Sequence, residues 1–136
     1  MIVADTNLAA YLAFESSYSP AVQALHQSDS HWIAPHLWLS EIRQVVLKHL
    51  RTTELTLQRG LYQLHRLEAL FDERLYEVSS SEVLRLASGS GCSSYDCEFV
   101  ALAQQMNCQL VTMDKQVLKA FPDTARLLEK NGVRVD

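Results

Sequence analysis

The stretch Ile2-Val3-Ala4-Asp5-Thr6-Asn7 decides the fold. Three apolar residues make a short strand, buried from its second residue, and a carboxylate follows the strand's end at once. Leu8 to Phe14 then reads as a helix, so the chain opens strand, acid, helix. The alternation continues outward from there. Ala21 to His26 is helical, with Ser19 as cap and Pro20 at the first helical position. Trp32 to Ala34 is a second strand, stopped by Pro35, and a long helix runs from His36 to Leu50. Thr56 caps a further helix reaching Phe71, with Leu57, Leu61 and Leu64 at helical spacing and Gly60 as a slight weakness.

Leu75 to Val78 makes a third strand, and Ser79-x-x-Glu82 is a capping box for the helix after it. Gly89-Ser90-Gly91 reads as a flexible loop before a helix from Tyr95 to Met106. Gln109 to Thr112 is a fourth strand, and Lys115 to Phe121 a short helix before Pro122. A last helix is expected from Asp123 or Thr124 to Gly132, and a fifth strand from Val133 to Val135. Strands alternating with helices imply crossover connections and a mainly parallel sheet, so the class is α/β. At 136 residues the chain is read as one domain, 1–136. Ligands in such sheets bind beyond the carboxyl ends of the strands, where strand order reverses.

Nearly half the residues, 48%, are apolar and only 4 are Gly and 3 Pro, which excludes a disordered chain. No apolar run approaches the roughly 18 residues a membrane span needs, so no membrane partner is expected. The N-terminus lacks the basic stretch of a signal peptide. Cys92, Cys97 and Cys108 have no metal-ligand spacing and read as buried reduced thiols of a cytoplasmic protein. The net charge of −4 argues against a protein that coats nucleic acid.

Four acids carry the functional reading: Asp5 and Asp114 at strand ends, Glu41 and Asp96 on helices. Glu41 lies three residues after Trp38 and four before Val45, on the apolar stripe of its helix. Asp96 precedes Phe99 by three and Val100 by four, again on the inward stripe. Each has a structural alternative. Asp5 and Asp114 could cap helices, Asp96 could close a Ser93-x-x-Asp96 capping box, and Glu41 could pair with a buried Arg. A single shared cause is a divalent cation, because buried unpaired carboxylates are costly. The four acids account for −4 of charge, equal to the net charge, so the remaining charges balance.

Magnesium and manganese take hard oxygen ligands and keep several waters, leaving room for a substrate phosphate. Phosphodiester hydrolysis follows, with Asp5 and Asp96 as direct ligands and Glu41 and Asp114 completing the site directly or through water. Asn7 and Thr112 are supporting residues, able to orient a carboxylate or a phosphate; local turn and cap bonding is their alternative. Arg43, Lys48, Arg51 and Arg59 face only Glu41 and Glu54, which gives a phosphate-contacting surface or a plain solvated face. No Gly-rich phosphate loop, Gly-x-Ser-x-Gly or His-Glu-x-x-His occurs. Three other readings remain: a metal-free ribonuclease using His36 and His49, a non-cutting RNA- or protein-binding module, and a phosphatase beginning Asp-x-Asp. Asn7 in the second acid's place weakens the phosphatase reading.

Together Asp5-Thr6-Asn7, Ser40-Glu41, Tyr95-Asp96-Cys97-Glu98-Phe99-Val100-Ala101-Leu102-Ala103 and Leu110-Val111-Thr112-Met113-Asp114 resemble the PIN-domain ribonucleases. Within that family the likeness is to VapC-type toxins of bacterial toxin–antitoxin pairs, and it spans the chain. The resemblance implies a parallel sheet ordered 3-2-1-4-5 flanked by helices in three layers. It also implies an acidic quartet of Asp5, Glu41, Asp96 and Asp114 that binds Mg2+ or Mn2+ and cuts RNA to 5′-phosphate and 3′-hydroxyl ends. A homodimer and an inhibitory antitoxin are implied as well, and the Leu-rich helix from Leu57 to Phe71 is a candidate dimer surface. Two residues depart from the family pattern: Glu98, expected to point away from the pocket, and Met113, bulky enough to narrow its entrance.

Overall fold

The structure of the protein, a computed structural model, describes residues 1–128. Strand β1 (Ile2–Ala4) is buried at every residue and occupies the middle of a five-stranded sheet. The others are β2 (Trp32–Pro35), β3 (Leu75–Tyr76), β4 (Gln109–Thr112) and β5 (Ala125–Leu127), in the order β3-β2-β1-β4-β5. Every pairing is parallel. Ile2 and Val3 register with Trp32 and Ile33 on one side and with Gln109 and Leu110 on the other. Burial on both faces explains why β1 is a continuous apolar run rather than an alternating one.

Seven helices connect and flank these strands among the described residues: α1 (Thr6–Ala10), α2 (Ser19–Ser28), α3 (Leu37–Thr52), α4 (Leu57–Leu70), α5 (Ser80–Ser90), α6 (Ser94–Gln105) and α7 (Lys115–Ala120). Helix α6 packs against β1, β2 and β4, and Cys97, Phe99, Val100, Ala101, Leu102 and Ala103 are all buried. That near-complete apolar surround marks it as the central helix. Helix α1 packs on α3 and β4. Trp38 of α3 stacks on Phe71 after α4, with ring centroids 4.2 Å apart, and both are fully buried. Cys92 and Cys97 are buried, Cys108 is half-buried, and all three are free thiols. No helix among the described residues is long and apolar enough to cross a membrane.

Several expected boundaries are corrected. The first helix is Thr6–Ala10 rather than Leu8 to Phe14, because Asp5 caps it directly at the strand end. Tyr11 to Phe14 continue as tightened turns, with Ala13 and Phe14 both donating to the Ala10 carbonyl. Gly89 and Ser90 belong to α5, and only Gly91 leaves the helix, as a left-handed C-cap at φ 77°. Strand β3 stops at Tyr76, short of Val78. The helix expected from Asp123 or Thr124 is replaced by strand β5, whose Ala125 to Leu127 register with Leu110 to Thr112. Pairing with the open edge of β4 overrides the helical preference of Ala-Arg-Leu-Leu. Gly132 and the expected strand Val133 to Val135 lie outside the described residues.

Gly60 is buried where α4 crosses α3. A Cβ there would sit 3.2 Å from Leu50 Cδ2 and 3.4 Å from Val46 Cγ1, so the missing side chain sets how closely the helices approach. Gly60→Leu is expected to overpack this crossing and lower stability by about 1–3 kcal/mol. Urea unfolding of the purified protein measures it, and an unchanged midpoint and slope would show that the helices are not in such contact.

Candidate functional site

The sheet order makes β1 and β4 neighbours, and their ends bring two of the four acids together. Asp5 caps α1: its Oδ1 accepts from the Thr6 backbone N–H at 2.7 Å. Its Oδ2 accepts from the Thr112 hydroxyl at 2.6 Å. The same Thr112 Oγ1 accepts from the Asp114 backbone N–H at 3.0 Å. One buried threonine therefore links both strand-end acids. Asp114 caps α7, with Oδ1 accepting from Gln116 N–H at 2.9 Å and Val117 N–H at 3.1 Å. The capping roles foreseen as alternatives for Asp5 and Asp114 are thus real, and they orient the carboxylates as well.

Glu41 is half-buried on α3 and forms no ion pair with an Arg among the described residues; its Oε1 accepts from the Thr6 hydroxyl at 2.7 Å. Thr6 is itself buried. The sequence gives Thr6 no mark of a site residue beyond its place directly after Asp5. Asp96 sits in the first turn of α6, where Ser93 Oγ accepts from its backbone N–H at 3.0 Å. Among the described residues the Asp96 carboxylate accepts no hydrogen bond in return, so the capping box is only half made.

Burial pushes the Asp5 carboxyl above its ordinary pKa; the bonds from Thr112 and Thr6 oppose this, and the charges of Asp96 and Asp114 reinforce it. Burial likewise raises Glu41 against the pull of its Thr6 bond, and the charges of Asp5, Asp96 and Glu98 add to the rise. The charge of Asp96 thus reaches both Asp5 and Glu41, and that of Asp114 reaches Asp5. Glu98 enters only as the last of these contributions to Glu41. It is half-buried, and burial raises its pKa too. The ion pairs among the described residues, Met1 with Asp29 and Arg85 with Glu82, lie elsewhere.

Among the described residues no three Asp, Glu, His or Cys side chains stand close enough to form a ready metal cage. The donor set suits magnesium nonetheless, since that ion takes one or two carboxylates and fills its shell with water and phosphate. Met113 packs half-buried against the core beside Thr112. Asn7 is exposed and makes no hydrogen bond to the acids among the described residues; it lines a cleft of about 480 Å³ between the α1 turn and α3. Lys48 lines the same cleft, whereas Arg43 and Arg51 are exposed on α3 away from it. His36 and His49 stand at opposite ends of α3, about 20 Å apart at helical rise, too far to act on one phosphate.

Parallel α/β topology, with Asp5 and Asp114 tied through Thr112 at the ends of the neighbouring strands β1 and β4, defines the class. The PIN-domain profile matches residues 2–126, and the chain belongs to the PIN-domain family. Two solved structures share the fold. PAE2754 from Pyrobaculum aerophilum superimposes with a TM-score of 0.70 at 20% identity, over 91% of this chain and 81% of that one. FitAcB from Neisseria gonorrhoeae does so with a TM-score of 0.70 at 20% identity, over 98% and 100%. The search of curated proteins gives no match.

Glu41→Gln keeps the acceptor for Thr6 and removes a charge that burial disfavours. An acid with a raised folded pKa loses its proton first in the unfolded chain, so stability falls as pH rises from about 4.3 through the folded value. In chelator-treated protein the substitution is expected to stabilise by about 0.5–2 kcal/mol at neutral pH. The gap should close below about pH 4, where both states of the native Glu41 are protonated. Urea midpoints across pH test this; equal midpoints at neutral pH would show that Glu41 carries no such penalty.

Proposed function

We propose that the protein is a Mg2+- or Mn2+-dependent endoribonuclease that leaves 5′-phosphate and 3′-hydroxyl ends. The observation that carries this reading is the junction where Thr112 holds Asp5 and Thr6 holds Glu41, with the charge of Asp96 reaching both and that of Asp114 reaching Asp5, while the ion pairs among the described residues lie elsewhere. Membership of the PIN-domain family supports a nuclease. Asp5 and Asp96 would hold the metal directly, with Glu41 and Asp114 contributing directly or through water. A divalent ion there supplies a Lewis acid and a more acidic bound water. The chain's own part is orientation: Thr112 fixes Asp5, and Thr6 fixes Glu41.

The likeness to VapC-type toxins supports a toxin role in the cytoplasm, held in check by an antitoxin. Leu57, Leu61 and Tyr62, exposed by 63%, 41% and 57%, form an apolar surface on α4 that supports a homodimer. A non-cutting RNA- or protein-binding module is the competing reading, favoured by the lack of three closely grouped ligands among the described residues. The complete set of acids speaks against it.

Asp96→Asn is expected to preserve the fold and reduce RNA cleavage by more than the roughly 10–100-fold that losing an outer partner costs. Thr112→Val, which frees Asp5 Oδ2, should fall within that 10–100-fold range. New 5′-monophosphate RNA ends are mapped across a bacterial host after induction of wild type and each variant. Identical end maps for wild type and Asp96→Asn would sink the assignment, and RNA binding without metal-stimulated turnover would favour the binding module.

A further inference from the structure

We propose that the cleft between the α1 turn and α3 seats one unpaired RNA nucleotide beside the acids, with Tyr11 and His49 as stacking surfaces and Lys48 as its phosphate contact. The inference rests on the ribonuclease reading above and specifies how that enzyme holds its substrate. The cleft, about 480 Å³, lies within the roughly 300–1,000 Å³ typical of small-ligand sites and would be overfilled by a duplex.

Its position follows from the chain. Asn7 lines it two residues beyond Asp5, and Gln44 and Lys48 line it one and two helical turns beyond Glu41 along α3. The end of the cleft lined by Asn7 and Gln44 therefore adjoins Asp5 and Glu41 along the chain, while the four acids lie outside its lining. Asp5's charge reaches Tyr11: burial raises the phenol's pKa first, then Tyr18, then Asp5. A nucleotide seated at that end would bring its backbone toward the acids.

The lining has the chemistry of a base rather than of a peptide's apolar side chain. Tyr11 is already stacked with Tyr18, centroids 5.6 Å apart and planes 20° from parallel, which holds its ring in a fixed orientation. His49 is stacked on Phe14 at 4.3 Å and is half-buried, so its ring is fixed as well. Its Nδ1 lies 2.9 Å from the Val45 carbonyl oxygen, which can only accept; Nδ1 thus carries a proton, and whenever the ring is neutral Nε2 is an acceptor. Asn7 and Gln44 add amides, and Glu15 adds a second acceptor for a base's amino group. Flat rings held in advance, amides for a base edge and one exposed ammonium for a phosphate are the parts of a single-strand binding site. Lys48 is the one cation among these lining residues.

The test is binding of a fluorescein-labelled single-stranded RNA in chelator, where no cleavage occurs, followed by cleavage in Mn2+. Tyr11→Leu keeps apolar packing and removes the flat ring, and should weaken binding by about 5–150-fold, equivalent to roughly 1–3 kcal/mol. Lys48→Gln should flatten the dependence of log K on log salt by about 0.7, one single-strand phosphate contact. The same sequence as a duplex should bind more weakly than the single strand. Asp96→Asn should still bind RNA in chelator and fail to cut it in Mn2+. Wild-type affinity and salt slope in both cleft variants, with cleavage intact, would overturn the subsite and leave the nuclease standing. Equal affinity for duplex and single strand would overturn the unpaired base. If Tyr11→Leu does not fold, the exposed Lys48 decides the matter by its salt slope alone. Absence of cleavage by folded wild type across host RNA would instead count against the nuclease reading itself.

Discussion

The hydrogen bond from the Thr112 hydroxyl to Asp5 Oδ2 is where fold and chemistry meet. It joins residues 107 apart in the chain and exists only because β1 and β4 are parallel neighbours. The Asp5 backbone N–H donates to the Val111 carbonyl at 3.2 Å, so main chain and side chain fix the same junction. From that junction the contacts run outward: Thr112 to Asp114, Asp5 to Thr6, Thr6 to Glu41. Loss of the strand pairing would scatter all of them. A hydrogen bond to an ionised group contributes roughly 1.5–3 kcal/mol, about what is needed to hold a carboxylate against partial burial. The site is therefore fixed by short contacts while remaining electrostatically unfavourable, a state that suits a centre awaiting a cation.

Much of this was legible in the sequence, for reasons that particular residues make plain. Ile2-Val3-Ala4 is apolar without alternation because both faces are covered, and the acid that follows it has to lie at the sheet's edge. Glu41 and Asp96 were visible because a carboxylate on an apolar stripe breaks a helical pattern that is otherwise regular. Such violations are where function concentrates. Ser93, Thr56 and Ser79 were readable as caps because the capping bond is local, and each hydroxyl accepts from the N–H three residues on.

What escaped was decided by contacts distant in sequence. Ala125 to Leu127 has the composition of a helix, yet the free edge of β4 offers it a ladder, and pairing prevails over propensity. Gly60 looked like a flaw in a helix, whereas it marks the closest approach of α4 to α3. Thr6 was masked by its neighbour: next to Asp5 it reads as one more capping residue, and its reach to Glu41, 35 residues on, has no local signature.

Helix α3 shows how one element can serve opposite electrostatic ends. Its inward stripe carries Trp38 and Ile42 into the core and Glu41 to the acids. The face that lines the cleft repeats at i and i+4, as Gln44, Lys48 and Thr52. A polyanion approaching four carboxylates meets repulsion unless something nearby offsets it, and over the distance of a Debye length in physiological salt, roughly 8 Å, only adjacent charges count. Lys48 lies seven residues past Glu41 on the same helix, about 10 Å at helical rise, so its charge acts along the cleft and does not neutralise the acids. Negative charge inside the site and positive charge at its rim are compatible because the same helix keeps them apart.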